Sequence, residues 1–147
     1  MGEVTVMETS SPDEFDFAML EEAGRLLLSK RRQGYHSVAA CVSTSSGDMF
    51  SALDLRSRKS PVCAEPCAIS RAHGAGCFDL VRLCAVVLAA DMRSTAVIAP
   101  CGACRELIAY QAPAATVLVQ EHRRVRRVAA VDLFAFPDVP VEPYGRS

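Results

Sequence analysis

Residues 80–89 read Leu80-Val81-Arg82-Leu83-Cys84-Ala85-Val86-Val87-Leu88-Ala89. A run so rich in Val and Leu predicts a strand buried on both faces, and such a strand needs a layer of structure on each side. The flanking sequence supplies helices. Upstream, residues 63–72 read as a short helix that stops at Gly74-Ala75-Gly76. Downstream, 96–99 form the end of another strand punctuated by Pro100, 101–110 read as a helix ended by Pro113, and 116–119 as a further strand. Residues 128–134 read as a helix before Pro137.

Further out, 38–43 and 49–55 are short runs joined by Ser45-Ser46-Gly47-Asp48, which predicts a β-hairpin. Residues 56–61 are polar and turn-like. Ser11-Pro12-Asp13-Glu14 predicts a helix start, with Ser11 as N-cap, Pro12 at the first helical position and Glu14 closing a capping box. Phe15, Met19, Ala23 and Leu26/Leu27 recur at helical spacing, Lys30, Arg31 and Arg32 favour the C-terminal end, and Gly34 is the expected stop. The order predicts one α/β domain over residues 1–147, a sheet covered by helices on both faces, with 1–10 a loose or strand-like leader and 138–147 a tail.

Composition excludes several classes. The chain has 147 residues, enough for one ordinary core. Half are hydrophobic and the net charge is −1, which argues against disorder and against a dedicated binder of polynucleotides. The longest apolar run, 83–90, falls far short of the roughly 20 residues that cross a bilayer. The first fourteen residues are acidic and carry no signal-peptide pattern, so a cytoplasmic, reducing location is expected. Seven cysteines make a poor disulfide framework there, leaving metal binding, catalysis or core packing.

Two segments can do chemistry. Pro61-Val62-Cys63-Ala64-Glu65 and Pro100-Cys101-Gly102-Ala103-Cys104-Arg105 each open a predicted helix. The positive end of a helix favours thiolate, the form that binds zinc. Cys101 and Cys104 have chelating spacing and Cys63 can add a third sulfur, leaving a fourth tetrahedral position open for water. Glu65 is then placed to shuttle the water's proton. Spacing alone leaves a second reading open. Cys67 lies four residues after Cys63, so four sulfurs could close a non-enzymatic structural zinc module, with Glu65 merely solvated. A thiol redox pair at Cys101 and Cys104 lacks a thioredoxin-like context.

Cys63-Ala64-Glu65 together with Pro100-Cys101-Gly102-Ala103-Cys104 resembles the zinc signature of the cytidine deaminase superfamily. The stretch from Val38-Ala39-Ala40 through Ser46-Gly47 to Phe50 and Asp54 is similar to the hairpin before that signature. The nine-residue step from Asp54 to Cys63 is closer to blasticidin S deaminase than to ordinary cytidine deaminase. The resemblance covers about residues 15–140. It implies a three-layer sandwich built on a five-stranded mixed sheet, in a homotetramer or dimer. It also implies Zn2+ held by Cys63, Cys101 and Cys104, with Glu65 as general acid/base and the Ala64 N–H on the ring carbonyl. The implied reaction is hydrolytic deamination of a small amino-heterocycle, as in pyrimidine salvage. A cytosine-type nucleoside, free base or aminotriazine is the first expectation, and an aminonucleoside antibiotic the alternative.

Three positions depart from the cytidine pattern. Asp54 stands where these enzymes carry a sugar-binding asparagine, so it either accepts from substrate or is a strand-end acid facing water. His36 falls where an aromatic residue packs on the base. Pro66 replaces an arginine that offsets thiolate charge, leaving the two helix N-termini or Arg105 to do so, unless Arg105 is only a solvated helix residue. Cys41, Cys77 and Cys84 are expected in the core, and His73 and His122 on the surface or satisfied. Arg123-Arg124-Val125-Arg126-Arg127 reads as a solvated face rather than a site for phosphate or an acidic neighbour. Phe134, Phe136 and Tyr144 resemble the aromatic region that caps the family's pocket, with Phe134 expected in the core.

Overall fold

The computed structural model describes residues 9–135 together with 144 and 145. Phe136, most of the leader and most of the tail lie outside the described residues. The elements run β1 (Thr9–Ser10), α1 (Glu14–Lys30), β2 (Val38–Thr44), β3 (Met49–Leu53), α2 (Ala64–Gly74), β4 (Leu80–Leu88), β5 (Thr95–Val97), α3 (Gly102–Gln111), β6 (Thr116–Glu121) and β7 (Arg124–Ala129). A 3-10 turn, Ala130–Ala135, follows.

One mixed sheet holds them in the order β1-β7-β6-β4-β2-β3, with β5 paired to β4. Only β4 and β6 are parallel among the described strands. The five longer strands form the expected five-stranded sheet, and β1 and β5 are short additions. Side chains along β4 and its neighbours alternate between two cores, as strand geometry requires. Ala39, Cys41, Cys84, Val86 and Leu118 face α1. Ala40, Val42, Leu83, Ala85, Val117 and Val119 face α2, α3 and the 3-10 turn. That is the three-layer sandwich.

The free edge of β4 is shared. Arg82 and Leu83 pair with β6, whereas Val86 to Leu88 pair with the antiparallel β5. The chain must therefore leave the sheet after Val97, and a crevice opens where neighbouring strands diverge, the usual place for a ligand in open α/β sheets. Val38 pairs with Val87, and Leu53 pairs with Ala39. Val38, Asp54 and Ile98 thus gather at one end of the sheet.

The first helix starts later than the Ser11 reading predicts. Its N-cap is Asp13, whose Oδ1 accepts from the Asp16 N–H at 2.9 Å while Asp16 Oδ2 accepts from the Asp13 N–H at 2.9 Å. It also stops at Lys30, before Gly34, which takes φ +84 in the following turn. The cause of the first shift lies far away. Asp16 is fully buried and receives Arg82 Nη1 at 3.0 Å and Arg127 Nε at 2.6 Å. Asp13 takes the same two guanidinium groups at 2.7 Å each.

The expected helix at 128–134 is replaced by β7 and the 3-10 turn. The arginine run is consequently only in part a solvated face: Arg123 and Arg124 are exposed, whereas the residues after them are drawn into the sheet. Val125 and Val128 point into the two cores, Arg127 pairs with Asp13 and Asp16, and Arg126 meets Glu121 at 3.6 Å. Breaking a buried charge cluster leaves charges without partners. Asp16→Ala is expected to destabilise the fold by roughly 3 kcal/mol, read by urea unfolding. A loss below about 0.5 kcal/mol would mark the cluster as inert. Burial raises the Asp13 pKa, but Arg82, the Asp16 N–H and Arg127 together hold it well below the usual carboxylate range. Its contribution is present at neutral pH and fades as pH falls below about 4.

Candidate active site

Two helices begin with cysteine at the N-cap. Cys63 caps α2 and Cys101 caps α3, both in extended backbone, and neither helix has a side-chain cap. Their first-turn N–H groups and positive ends therefore face the sulfurs. Cys104, one turn into α3, is buried and completes the group. The Cys63, Cys101 and Cys104 sulfurs lie within 4.8 Å of one another, and those of Cys63 and Cys101 are 3.7 Å apart. Two thiolates on one tetrahedral zinc, each about 2.3 Å from it, would stand about 3.8 Å apart. The donor set fits such an ion. Cys67 does not join the group, so the closed four-sulfur arrangement is not formed.

Glu65 sits in the first turn of α2 and is 4% exposed. The Cys104 thiol donates to its Oε2 at 3.8 Å. Burial raises the Glu65 pKa, against the lowering effect of its own main-chain N–H and of Cys104. Burial likewise raises the Cys63 and Cys104 thiols. Cys101 differs: burial opposes ionisation, but the Cys104 main-chain N–H and the thiols of Cys104 and Cys63 outweigh it and lower its pKa. Cys101 is the exposed sulfur, at the mouth of the site.

Cys63, Glu65 and Cys101 line a cavity of about 500 Å³, whose wall also includes Val38, Asp54, Arg56 and Ile98, while Cys104 is buried beside them. Ala64 is fully buried beneath it and contributes to the lining. Asp54 does not face water; it is 7% exposed. Its Oδ1 accepts from the Ser37 N–H at 2.8 Å and the Val38 N–H at 3.1 Å, and its Oδ2 from Ser37 Oγ at 3.1 Å. The carboxylate thus closes β3 onto the start of β2 while standing in the cavity wall. His36 lies elsewhere. Its Nδ1 accepts from the Arg32 N–H at 2.9 Å and it is not part of the wall.

Sequence reasoning passed over Ser37 and Arg56. The only signal for Ser37 was its place directly before the first hairpin strand, and for Arg56 its place two residues after Asp54. Arg105 is not a solvated helix residue: it is 7% exposed and donates to the main chain. Cys41 and Cys84 lie in the core, with Cys41 pushed up to about 12 by burial. Cys77 is half-buried, His73 packs on Phe78 at 4.9 Å, and His122 is exposed in the β6–β7 turn. Phe134 is 61% exposed rather than in the core, because the 3-10 turn points it outward and buries Leu133 instead. Tyr144 stacks on Phe17, on the α1 side of the sheet.

No protein-family model matches the chain. A blasticidin-S deaminase of Bacillus cereus is 30% identical over 132 residues, spanning 86% of this chain and 94% of its own. Among solved structures, a cytidine deaminase from Burkholderia pseudomallei superimposes with a TM-score of 0.63 at 26% identity, covering 80% of this chain and 94% of that one. A cytidine deaminase from Bacillus anthracis gives a TM-score of 0.67 at 16% identity, over 82% of this chain and 87% of its own, and likewise has this fold.

Proposed function

Because this chain belongs to the cytidine deaminase superfamily and is a hydrolytic deaminase acting on carbon–nitrogen bonds, we propose that it removes the exocyclic amine of a small cytosine-type heterocycle. The observation that supports this is the meeting of three cysteine sulfurs with one buried carboxyl at a cavity open to solvent, which Cys63, Cys101 and Glu65 line. Cys63, Cys101 and Cys104 are the residues that would hold zinc. Zinc with one open position supplies a water whose pKa is brought to about 7. Three thiolates and one Zn2+ sum to −1, and the two uncapped helix N-termini offset that charge where Pro66 cannot.

Glu65 carries the protons. Its carboxylate takes one from the attacking water as oxygen bonds to the ring carbon, and passes it to the adjacent ring nitrogen. It then takes the remaining proton from the new hydroxyl and delivers it to the amine as the carbon–nitrogen bond breaks and the carbonyl forms, so that one water is consumed and one ammonia leaves. The main-chain N–H of Ala64, at the start of α2, holds the ring carbonyl. Burial serves this cycle, since it raises the Glu65 carboxyl above its ordinary range and so favours return of the proton.

Asp54 orients the substrate by accepting from its sugar or ring N–H groups. Asp54→Asn can keep the two main-chain N–H bonds on one oxygen. It is expected to raise KM by roughly ten- to a hundredfold with little change in kcat. An unchanged KM for every substrate would leave Asp54 as a hairpin tie alone.

A second reading, an aminonucleoside antibiotic of the blasticidin S kind, is favoured by the Bacillus cereus relative and by the nine-residue step from Asp54 to Cys63. Ammonia release from cytidine, deoxycytidine, cytosine, aminotriazines, guanine and blasticidin S, with Glu65→Ala as blank, separates the two. Release from none of them, with zinc bound, would overturn both.

The seven cysteines are free thiols, as a reducing compartment keeps them, and no described helix is long and apolar enough to cross a membrane. We assign the activity to cytoplasmic pyrimidine salvage by a homo-oligomer. The exposed Tyr110, Val131 and Phe134 support a subunit contact, which light scattering tests.

A further inference from the structure

We propose that Arg105 is a positioning residue for the metal loop, fixing the backbone on both sides of Cys101 so that its sulfur stays aimed at those of Cys63 and Cys104; this rests on the metal-binding role given above. The loop needs such a fixture. Residues 98–101 follow β5 and precede α3, outside regular structure, and Cys101 is exposed. On the sheet side the Ile98 N–H is tied to the Ala85 carbonyl at 3.0 Å.

The Arg105 main-chain N–H donates to the Cys101 carbonyl at 2.9 Å, the ordinary bond of a fourth helical residue. The side chain adds what a helix does not supply. Nε donates to the Pro100 carbonyl at 2.8 Å, and Nη1 to the Leu133 carbonyl at 2.6 Å. One residue therefore grips the carbonyl before Cys101 and the carbonyl of Cys101 itself, and ties both to the 3-10 turn. Burying a guanidinium is costly unless its donors are used. Here Nε and Nη1 are spent on the loop that carries a metal ligand and on the turn that lies beside it. The rigid fork sends Nε and Nη1 in two fixed directions, which a lysine ammonium cannot reproduce.

The prediction concerns metal affinity, which a purely stabilising residue would not set. Zinc dissociation constants are measured by competition with a chromogenic chelator, and Co2+ absorption reports the thiolate geometry. Arg105→Met is expected to bind zinc roughly ten- to a hundredfold more weakly than the unsubstituted protein. Arg105→Lys keeps the charge without the fork. It is expected to remain at least about tenfold weaker with altered Co2+ bands, and it carries the test should the Met variant fail to fold.

Val125→Ala, in the core on the far side of the sheet, is expected to lower Tm and leave zinc affinity unchanged. Affinity restored in full by lysine would make charge the cause and overturn the positioning role. So would equal binding by both variants, or an equal loss in Val125→Ala. An unsubstituted protein that binds no zinc would sink the metal reading itself, and this inference with it.

Discussion

Glu65→Gln is expected to lose roughly 10²–10⁴-fold in kcat while keeping its zinc and its fold. Glutamine matches the shape of glutamate and can still bond Cys104, so the buried first turn of α2 has no reason to rearrange. It cannot take a proton from water or return one to ammonia. Proton transfer matters only on the way to the transition state, so kcat and kcat/KM should fall together while KM holds. A variant retaining activity within a few-fold of the parent would remove Glu65 from the mechanism. Zinc content must be measured on the same sample, because a loss of metal would mimic a loss of proton transfer.

Cys104→Ser is expected to abolish both bound zinc and ammonia release, read by elemental analysis and by the release assay. A serine hydroxyl is a far weaker zinc ligand than a thiolate, and this position is buried, so no other donor swings in. Cys67→Ser is the matched control and should keep full metal and activity, since Cys67 stands outside the three-sulfur group. Zinc lost equally from the Cys67 variant would reinstate a four-sulfur site. The dependence on pH follows. All three thiols must shed protons, and burial holds Cys63 and Cys104 above their ordinary range, so zinc affinity should fall steeply as pH is lowered.

Much of this was readable before any coordinates. The 80–89 run, the hairpin glycine at position 47 and the two cysteine-led helices are local signals, and each specifies its element through nearby residues. The gathering of the three cysteines was legible for the same reason, because Cys63 and Cys101 open helices and Cys104 follows Cys101 by one turn. What escaped reading depends on partners far along the chain. Residues 124–129 look like a charged surface until Asp16 and Glu121 are brought beside them, and two arginines then serve a strand. The first helix is capped by Asp13 rather than by the expected Ser11, and a guanidinium over a hundred residues away, bonded to Asp16, holds that cap in place. Asp54 could be seen as a candidate, but its anchoring by Ser37 could not.

The Asp16–Arg127 bond spans 111 residues, and among the described strands β1 pairs only with β7. During synthesis, α1 emerges first with an acidic group meant for burial, and Arg82 offers a partial partner midway. The last strand has to leave the ribosome before the first helix can dock fully and the N-terminal strand can find its neighbour. Such long-range closure slows folding and exposes intermediates. The nascent chain should therefore stay sensitive to protease until residue 127 clears the exit tunnel, and then become resistant in a single step.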